Sequence, residues 1–280
     1  MTMRGRMRLT DRTAIVTGAA SGIGRAVARS LARRGCHLAL ADIDKNGLAE
    51  TAALVGASAS ASASNLRIST HPLDITDAAA IAAFPQAVRL HHPGVDILVN
   101  NAGVALGGTF EQVSMTDFEW VLDVNFWGVV RMTRAFLPVL HASDDARLVN
   151  LSSLFGLIAP PGQAAYSASK FGVRGFSEAL RKELADSRVG VTVVHPGGVA
   201  TSIASNARKP DGATPDQVAA EQQRFQRLLK LPAERAGEII VKAIERRTPR
   251  ILVGSDARLA SLIERIAPVS YWALIGRNAQ

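Results

Sequence analysis

Tyr166 and Lys170 stand four residues apart in the stretch Tyr166-Ser167-Ala168-Ser169-Lys170. If the segment is helical, their side chains lie one turn apart on a single face. A phenol ordinarily keeps its proton until pH ~10. An ammonium held beside it favours the phenolate and lowers that value towards neutrality. Such a pair is a general acid/base, able to move a hydroxyl proton while a hydride leaves the adjoining carbon. On its own, Tyr-x-x-x-Lys reads more naturally as an ordinary amphipathic pair, so the elements around it must decide.

Those elements begin with a short apolar run, Thr13 to Thr17, followed by Gly18-Ala19-Ala20-Ser21-Gly22-Ile23-Gly24. Val27, Leu31 and their small neighbours then predict a helix packed closely on a sheet and stopped by Gly35. Strand, glycine turn and helix is the context a dinucleotide loop requires. Glycine permits the turn and lets backbone N–H groups approach a pyrophosphate at the positive end of the helix. The alternative is a tight turn and nothing more. The next apolar strand, His37 to Ala41, ends at Asp42. An acidic residue about 20 positions past such a loop binds the adenosine ribose hydroxyls and repels the extra phosphate of NADP. Asp42 equally suits a cap for the following helix; the reading here favours NAD.

Asp44 to Leu54 predicts a helix, and the Ala/Ser run from Gly56 to Ser64 a surface connection or a frayed helix end. A third strand, Leu66 to Leu73, runs into Asp74-Ile75, where a carboxylate and an amide either meet an adenine edge or cap a helix starting near Asp77. Val95 to Val99 reads as a buried parallel strand ending at Asn100-Asn101-Ala102-Gly103. That turn is either a ligand crevice, a structural corner, or both. Ser114 to His141 predicts one long helix or two, with Gly128 near the joint. Asn125 inside it either breaks the helix and holds a water, or is a satisfied core amide. Strands at Arg147 to Leu151 and Val189 to Val194 end at Ser152-Ser153 and at His195-Pro196-Gly197-Gly198-Val199. The helix bearing Tyr166 and Lys170 runs between them towards Ala185, and Arg250 to Val253 supplies a seventh strand. Alternating strands and helices build a doubly wound parallel sheet.

Taken together, these motifs resemble the short-chain dehydrogenase/reductase family, over roughly the first three quarters of the chain. The resemblance implies one α/β Rossmann-like domain, with a seven-stranded, mostly parallel sheet flanked by helices; Leu259, Leu262, Ile263 and Ile266 at helical spacing add a C-terminal helical tail. It implies that Gly18, Ser21, Gly22, Ile23, Gly24, Asp42, Asp74, Ile75, Asn101, Ala102 and Gly103 bind NAD, with Pro196, Gly197, Val199 and Thr201 at its nicotinamide amide. By the same resemblance Tyr166 gives the proton in carbonyl reduction and takes it in alcohol oxidation. Ser153, thirteen residues before it, holds the reacting oxygen. Lys170 binds the nicotinamide ribose and lowers the tyrosine pKa, and Asn125 holds a water that links Lys170 to solvent. Ser153 is preferred over Ser152 because the family spacing turns the second serine towards substrate.

The chain of 280 residues has 48% apolar and 20% charged side chains, enough for one large core. The catalytic domain is expected over 1–255, with a substrate loop and helix at about 200–231 (Asp216 to Leu231 helical) and a tail over 256–280 that packs on the domain or on a partner. A net charge of +8 is carried by scattered Arg with no aromatic interleaving, which argues against nucleic acid. The single cysteine, Cys36, has no disulfide or CxxC partner, and no metal site is expected. No signal peptide and no run of ~18 apolar residues is visible, so a cytoplasmic protein is expected.

Leu154, Phe155, Leu157 and Ile158 after the serine, with Val104 and Leu106, point to a hydrophobic secondary alcohol or ketone if they line the pocket. Phe155 joins Ser153 and Tyr166 as an expected substrate contact. The alternatives are an NADP-dependent carbonyl reductase of the same family and a non-catalytic sensor of NAD. The resemblance also implies a homodimer or homotetramer, paired through Asp117 to Leu140 and Ala164 to Ala185.

Overall fold

A computed structural model describes residues 5–58, 65–210, 212, 214, 216, 219, 223 and 226–275. Among them, seven strands form one sheet: β1 (Thr13–Thr17), β2 (His37–Asp42), β3 (Ile68–Pro72), β4 (Ile97–Asn100), β5 (Ala146–Leu151), β6 (Val189–Pro196) and β9 (Arg250–Val253). Their order is β3-β2-β1-β4-β5-β6-β9, and every pairing is parallel. The "mostly parallel" expectation is therefore sharpened to an all-parallel sheet. β1, β4 and β5 are buried along their whole length, as near-continuous apolar strands must be when helices cover both faces.

Successive residues of β1 serve opposite cores. Ala14 and Val16 join the cluster that holds Val27 and Leu31 of α1 (Gly22–Ala32), Leu48 of α2 (Lys45–Ser58) and Ile240 and Ile244 of α7 (Ala233–Glu245). Ile15 joins the opposite cluster with Ile81 and Phe84 of α3 (Ala78–Arg89), Met132 and Phe136 of α5 (Gly128–His141) and Leu180 of α6 (Ala164–Glu183). The period of two in the pleat assigns them so. Because the strands are parallel, the carboxyl ends of all seven open on one edge. The order reverses between β1 and β4, the point where open α/β sheets leave a crevice.

Several expected boundaries move. α2 runs on through Gly56 to Ser58, and residues 59–64 of the Ala/Ser run lie outside the described residues. The third strand is shorter than Leu66–Leu73, with five residues in register with β2. Asp77, not Asp74, caps α3: its carboxylate accepts the Ala79 and Ala80 N–H groups at 2.9 Å each. Asp74 closes its own turn on Thr76 instead. The segment expected from Ser114 to His141 is α4 (Met115–Leu122), a π-turn over Asp123–Trp127, and α5. Within the expected Asp216 to Leu231 helix, Asp216, Ala219, Gln223 and Gln226 to Leu228 are helical, and residues 217–218, 220–222 and 224–225 lie outside the described residues. The short strands β7 (Val199–Ala200) and β8 (Leu231–Pro232) pair and close the base of that excursion.

The tail forms α8 (Ser255–Ile266) and α9 (Tyr271–Ile275). α8 seats through Ala257, Ala260 and Ser261, while Leu259, Leu262 and Ile266 face outwards. Small residues allow the closer approach, so they take the inner face of α8. Among the described residues no helix is long and apolar enough to cross a membrane.

Candidate active site

Tyr166 sits in the first turn of α6, half-buried at the carboxyl edge of the sheet, and Lys170 follows on the same face, 4% exposed. The Lys170 Nζ lies 5.6 Å from the centre of the Tyr166 ring and donates to Leu151 O at 3.2 Å. Burial pushes the Lys170 ammonium down to about 8. Burial also raises the Tyr166 phenol, and a hydrogen bond from the Ser153 side chain works the other way. In the free protein burial is the larger influence on this phenol, and the Lys170 nitrogen is turned to a backbone carbonyl. At neutral pH the lysine is charged and the tyrosine protonated.

The two serines that end β5 part company. Ser152 is buried and donates to Lys170 O at 2.8 Å, a bond that ties strand to helix. Ser153 is half-exposed, accepts the Phe155 N–H at 3.1 Å and reaches Tyr166. The Phe155 ring stands edge-on to Tyr166, with centroids 6.1 Å apart, and makes an apolar wall beside the phenol. Of the other residues expected to line a pocket, Val104 and Leu154 are half-buried. Leu106, Leu157 and Ile158 are buried, and Leu106 belongs to a small core with Val121 and Ala165.

Asn125 lies in the π-turn between α4 and α5, fully buried. Its Oδ1 accepts the Val104 N–H at 2.8 Å, and its Nδ2 donates to Val104 O at 3.0 Å and Ser169 Oγ at 3.2 Å. The side chain is thus a satisfied amide within a locally broken helix. A Cβ on Gly103 would come within 3.0 Å of Asn125 Oδ1 and 3.4 Å of Lys170 Nζ, so these two polar groups flank one glycine.

At the β1/β4 crevice, Gly18 and Gly22 adopt φ of +65° and +52°, which only glycine takes without strain. Ser21 precedes α1 without capping it, and its first turn carries no acid, so the free N–H groups there suit an anion. Ser21, Gly22 and Ile23 are accessible, and Gly24 is buried. Asn101 Nδ2 donates to Thr17 O at 2.9 Å and Gly18 O at 3.1 Å, and Thr17 Oγ1 accepts the Asn101 and Ala102 N–H groups. The Asn101 amide nitrogen therefore holds the glycine loop in shape. Asn100 lies behind it in a buried chain with Asn150 and Thr133.

Asp42 ends β2 with Oδ2 accepting from Ala20 N–H and Oδ1 from Asp44 N–H, each at 3.0 Å. It is a local cap and also presents a carboxylate at the crevice. Asp74 is exposed, and Ile75 is buried against Gly128. Pro196 ends β6, and a Cβ on Gly22 would come within 3.0 Å of the Thr201 methyl, so the two ends of the crevice meet there. These residues fit a bound dinucleotide: uncapped N–H groups at one helix end, a carboxylate about one strand away, and a buried cation at the far end.

Sequence reading missed four residues beside this edge. Ser169 Oγ takes the Asn125 amide and donates to Tyr166 O. The buried His195 ring bonds Ser153 O through Nδ1 at 3.0 Å. Arg208 lies over the Trp120 ring, 3.5 Å from its centre. Tyr271 of α9 accepts the Ala159 N–H at 3.0 Å through its hydroxyl. Each contact is long-range or buried inside a motif, and no periodicity announces it.

The sequence profile of the family described as short chain dehydrogenase matches residues 12–212. Mycobacterium tuberculosis SadH is 43% identical over 267 residues, 94% of either chain. The Escherichia coli oxidoreductase UcpA is 36% identical over 216 residues, 76% of this chain and 80% of its own. A Burkholderia phymatum short chain dehydrogenase/reductase crystallised with NAD superposes with a TM-score of 0.85 at 30% identity, covering 94% of this chain and 95% of that one. A Mycobacterium paratuberculosis short chain dehydrogenase bound to NAD gives 0.75 at 26%, covering 88% and 97%.

Proposed function

Because the chain belongs to the short-chain dehydrogenase family, we propose that it is an NAD-dependent oxidoreductase interconverting a hydrophobic secondary alcohol and its ketone. The observation that carries this reading is the meeting of Ser153, Tyr166 and Lys170, from β5 and one face of α6, at the same sheet edge as the glycine loop. NAD supplies the hydride chemistry when bound.

The chain's own residues do the rest. Uncapped N–H groups of Gly22, Ile23 and Gly24 receive the pyrophosphate, Asp42 the adenosine ribose, and Ala102, Gly103, Asp74 and Ile75 line the same half. Pro196, Gly197, Val199 and Thr201 hold the nicotinamide end, and Lys170 its ribose. Ser153 donates to the reacting oxygen, where negative charge develops in the transition state. Tyr166, protonated at neutral pH, gives its proton to that oxygen in reduction, and the same group takes it back in oxidation. Asn125 fixes the backbone beside Lys170. Phe155, Val104 and Leu154 offer the substrate an apolar wall, which favours an aryl, alicyclic or steroid-like group beside the reacting carbon.

Trp127 and Phe171 are exposed on the helices expected to pair subunits, and we place a homo-oligomer contact there. A solution mass of a single protomer would exclude it. The cytoplasm is the proposed location.

The decisive experiment is a panel of secondary alcohols and ketones followed at the NADH absorbance in both directions, for the parent and Tyr166→Phe. Turnover of a hydrophobic member is expected, with a loss of at least ~10³-fold in the variant and NADH affinity changed by less than about threefold. NADH binding with no turnover anywhere on the panel would instead mark a sensor.

A further inference from the structure

We infer that Asp256 is a positioning residue for the Pro196–Thr201 segment, an inference that rests on the reading of that segment as the nicotinamide end of the site. Asp256 belongs to the first turn of α8, beyond residues 12–212 matched by the family profile. Its Oδ2 accepts the Gly198 N–H at 2.6 Å. Three glycines surround the carboxylate. A Cβ on Gly197 or on Gly254 would overlap it, and one on Gly198 would overlap Leu228 O and touch Oδ2 at 3.5 Å. Any larger residue at Gly197 or Gly254 would expel the carboxylate, so the glycines form a socket fitted to it.

The peptide run that this carboxylate holds is otherwise tied by backbone alone. Gly197 N–H donates to Val253 O at 2.9 Å, Val199 N–H to Gly197 O at 2.9 Å, and Gly198 O accepts Leu231 N–H at 3.0 Å. Within this run it is the Gly198 N–H that bonds a side chain. Releasing it frees the Gly197–Gly198 peptide to rotate and lets Val199 to Thr201 drift from the Thr201–Gly22 contact that closes the crevice. The glycine loop across that contact is held by Asn101, and Asp42 beyond it bonds Ala20 and Asp44, so both stay in place. The effect therefore falls on one half of a dinucleotide and spares the other.

The test measures Kd for NADH and for ADP-ribose, which lacks the nicotinamide, in the parent, Asp256→Ala and Asp256→Asn. The alanine variant is expected to weaken NADH about tenfold, with ADP-ribose within about twofold. Asn keeps an acceptor for the Gly198 N–H and is expected within about threefold of the parent for both ligands. Asp256→Ser, whose hydroxyl stops short of Gly198 but keeps a polar group in the socket, gives the alanine signature and replaces it if the alanine variant does not fold. Parent-like NADH affinity in the alanine or serine variant overturns the inference. So does an equal loss for both ligands, which marks general loosening. A parent that binds neither ligand overturns the underlying reading of the site, and this inference with it.

Discussion

Asn125 and Val104 exchange two hydrogen bonds, Val104 N–H to Oδ1 at 2.8 Å and Nδ2 to Val104 O at 3.0 Å, across a gap of 21 residues. The pair joins the π-turn to the loop after β4 and sets Gly103 beside Lys170 Nζ. Asn125→Ala leaves both Val104 backbone groups and the Ser169 hydroxyl short of a partner. A destabilisation of about 2–4 kcal/mol in urea unfolding is expected, together with a loss of turnover. Asn125→Asp keeps one acceptor, loses both donations and sets its carboxylate against Val104 O. An Asp variant as stable as the parent would show that the exchanged pair does not hold the turn.

The legible part of this molecule was local. Thr13–Thr17, the glycine run and Val27 with Leu31 predicted β1, the turn and α1, because a buried parallel strand and a closely packed helix each leave a periodic signature. Arg250–Val253 was placed to the residue. Spacing from Ser153 to Tyr166 to Lys170 survived folding because a strand end and one helix face fix it. What escaped was either electrostatic or long-range. Spacing puts an ammonium near a phenol, but only the structure shows burial raising Tyr166 while Lys170 turns to Leu151 O. Asp256 reaches Gly198 over 58 residues, and nothing in the apolar pattern of α8 marks it.

Lys170 sets a pH limb. Burial lowers its pKa to about 8, so its charge is present below that pH and lost above it. A neutral Lys170 neither grips a ribose hydroxyl as strongly nor favours phenolate at Tyr166. The kcat/KM for reduction is expected to fall as pH rises through about 8. In Lys170→Met the limb should vanish along with at least ~10²-fold of the rate. A limb that persists in the methionine variant belongs to another group.

Asp42 makes the coenzyme choice testable in two steps. The parent is expected to prefer NAD, since a carboxylate at the adenosine ribose repels a 2′-phosphate. Asp42→Asn keeps an acceptor for Ala20 N–H while removing the charge, so NADP should gain about tenfold in kcat/KM with the loop intact. Asp42→Ala removes both, and NAD efficiency should fall as well. A parent that prefers NADP would overturn the assignment.

Acid lability follows from three histidines. His195, His71 and His92 are each lowered to about 4, in every case mainly by burial. The His195 value is drawn back up by its bond to Ser153 O, lowered again by Arg250 and Arg174, and raised by Glu178. A folded pKa below the unfolded value of ~6.5 means that the unfolded chain binds more protons between those limits. Stability is therefore full above pH ~6.5 and falls as pH drops towards 4. The fully buried His195 alone accounts for about 3 kcal/mol of that loss. Thermal melts from pH 7 to 4 should show the decline, and His195→Asn, whose amide can still donate to Ser153 O, should flatten it. His71 and His92 share Ser69 Oγ and titrate as a pair, so their single substitutions should not add. A slope unchanged in His195→Asn would remove His195 from the account.

Arg208 latches the segment that follows Thr201. Its guanidinium covers the Trp120 ring at 3.5 Å and pairs with Asp117 at 2.8 Å. Its backbone N–H donates to Ala105 O, and its carbonyl accepts the Gly107 N–H. The chain after the nicotinamide segment is thereby joined to α4 and to the loop that carries Val104. If this junction bounds the substrate pocket, loosening it should act on substrate and spare the cofactor. Arg208→Ala is expected to raise substrate KM about three- to tenfold, with NADH affinity within about twofold and faster proteolysis within 201–210. Arg208→Lys keeps the charge but loses the flat stacking surface, so it should fall between parent and alanine. Lysine behaving as the parent would assign the latch to the Asp117 pair alone. An alanine variant with unchanged KM and unchanged cleavage would show that the backbone bonds to Ala105 and Gly107 hold the segment without the side chain.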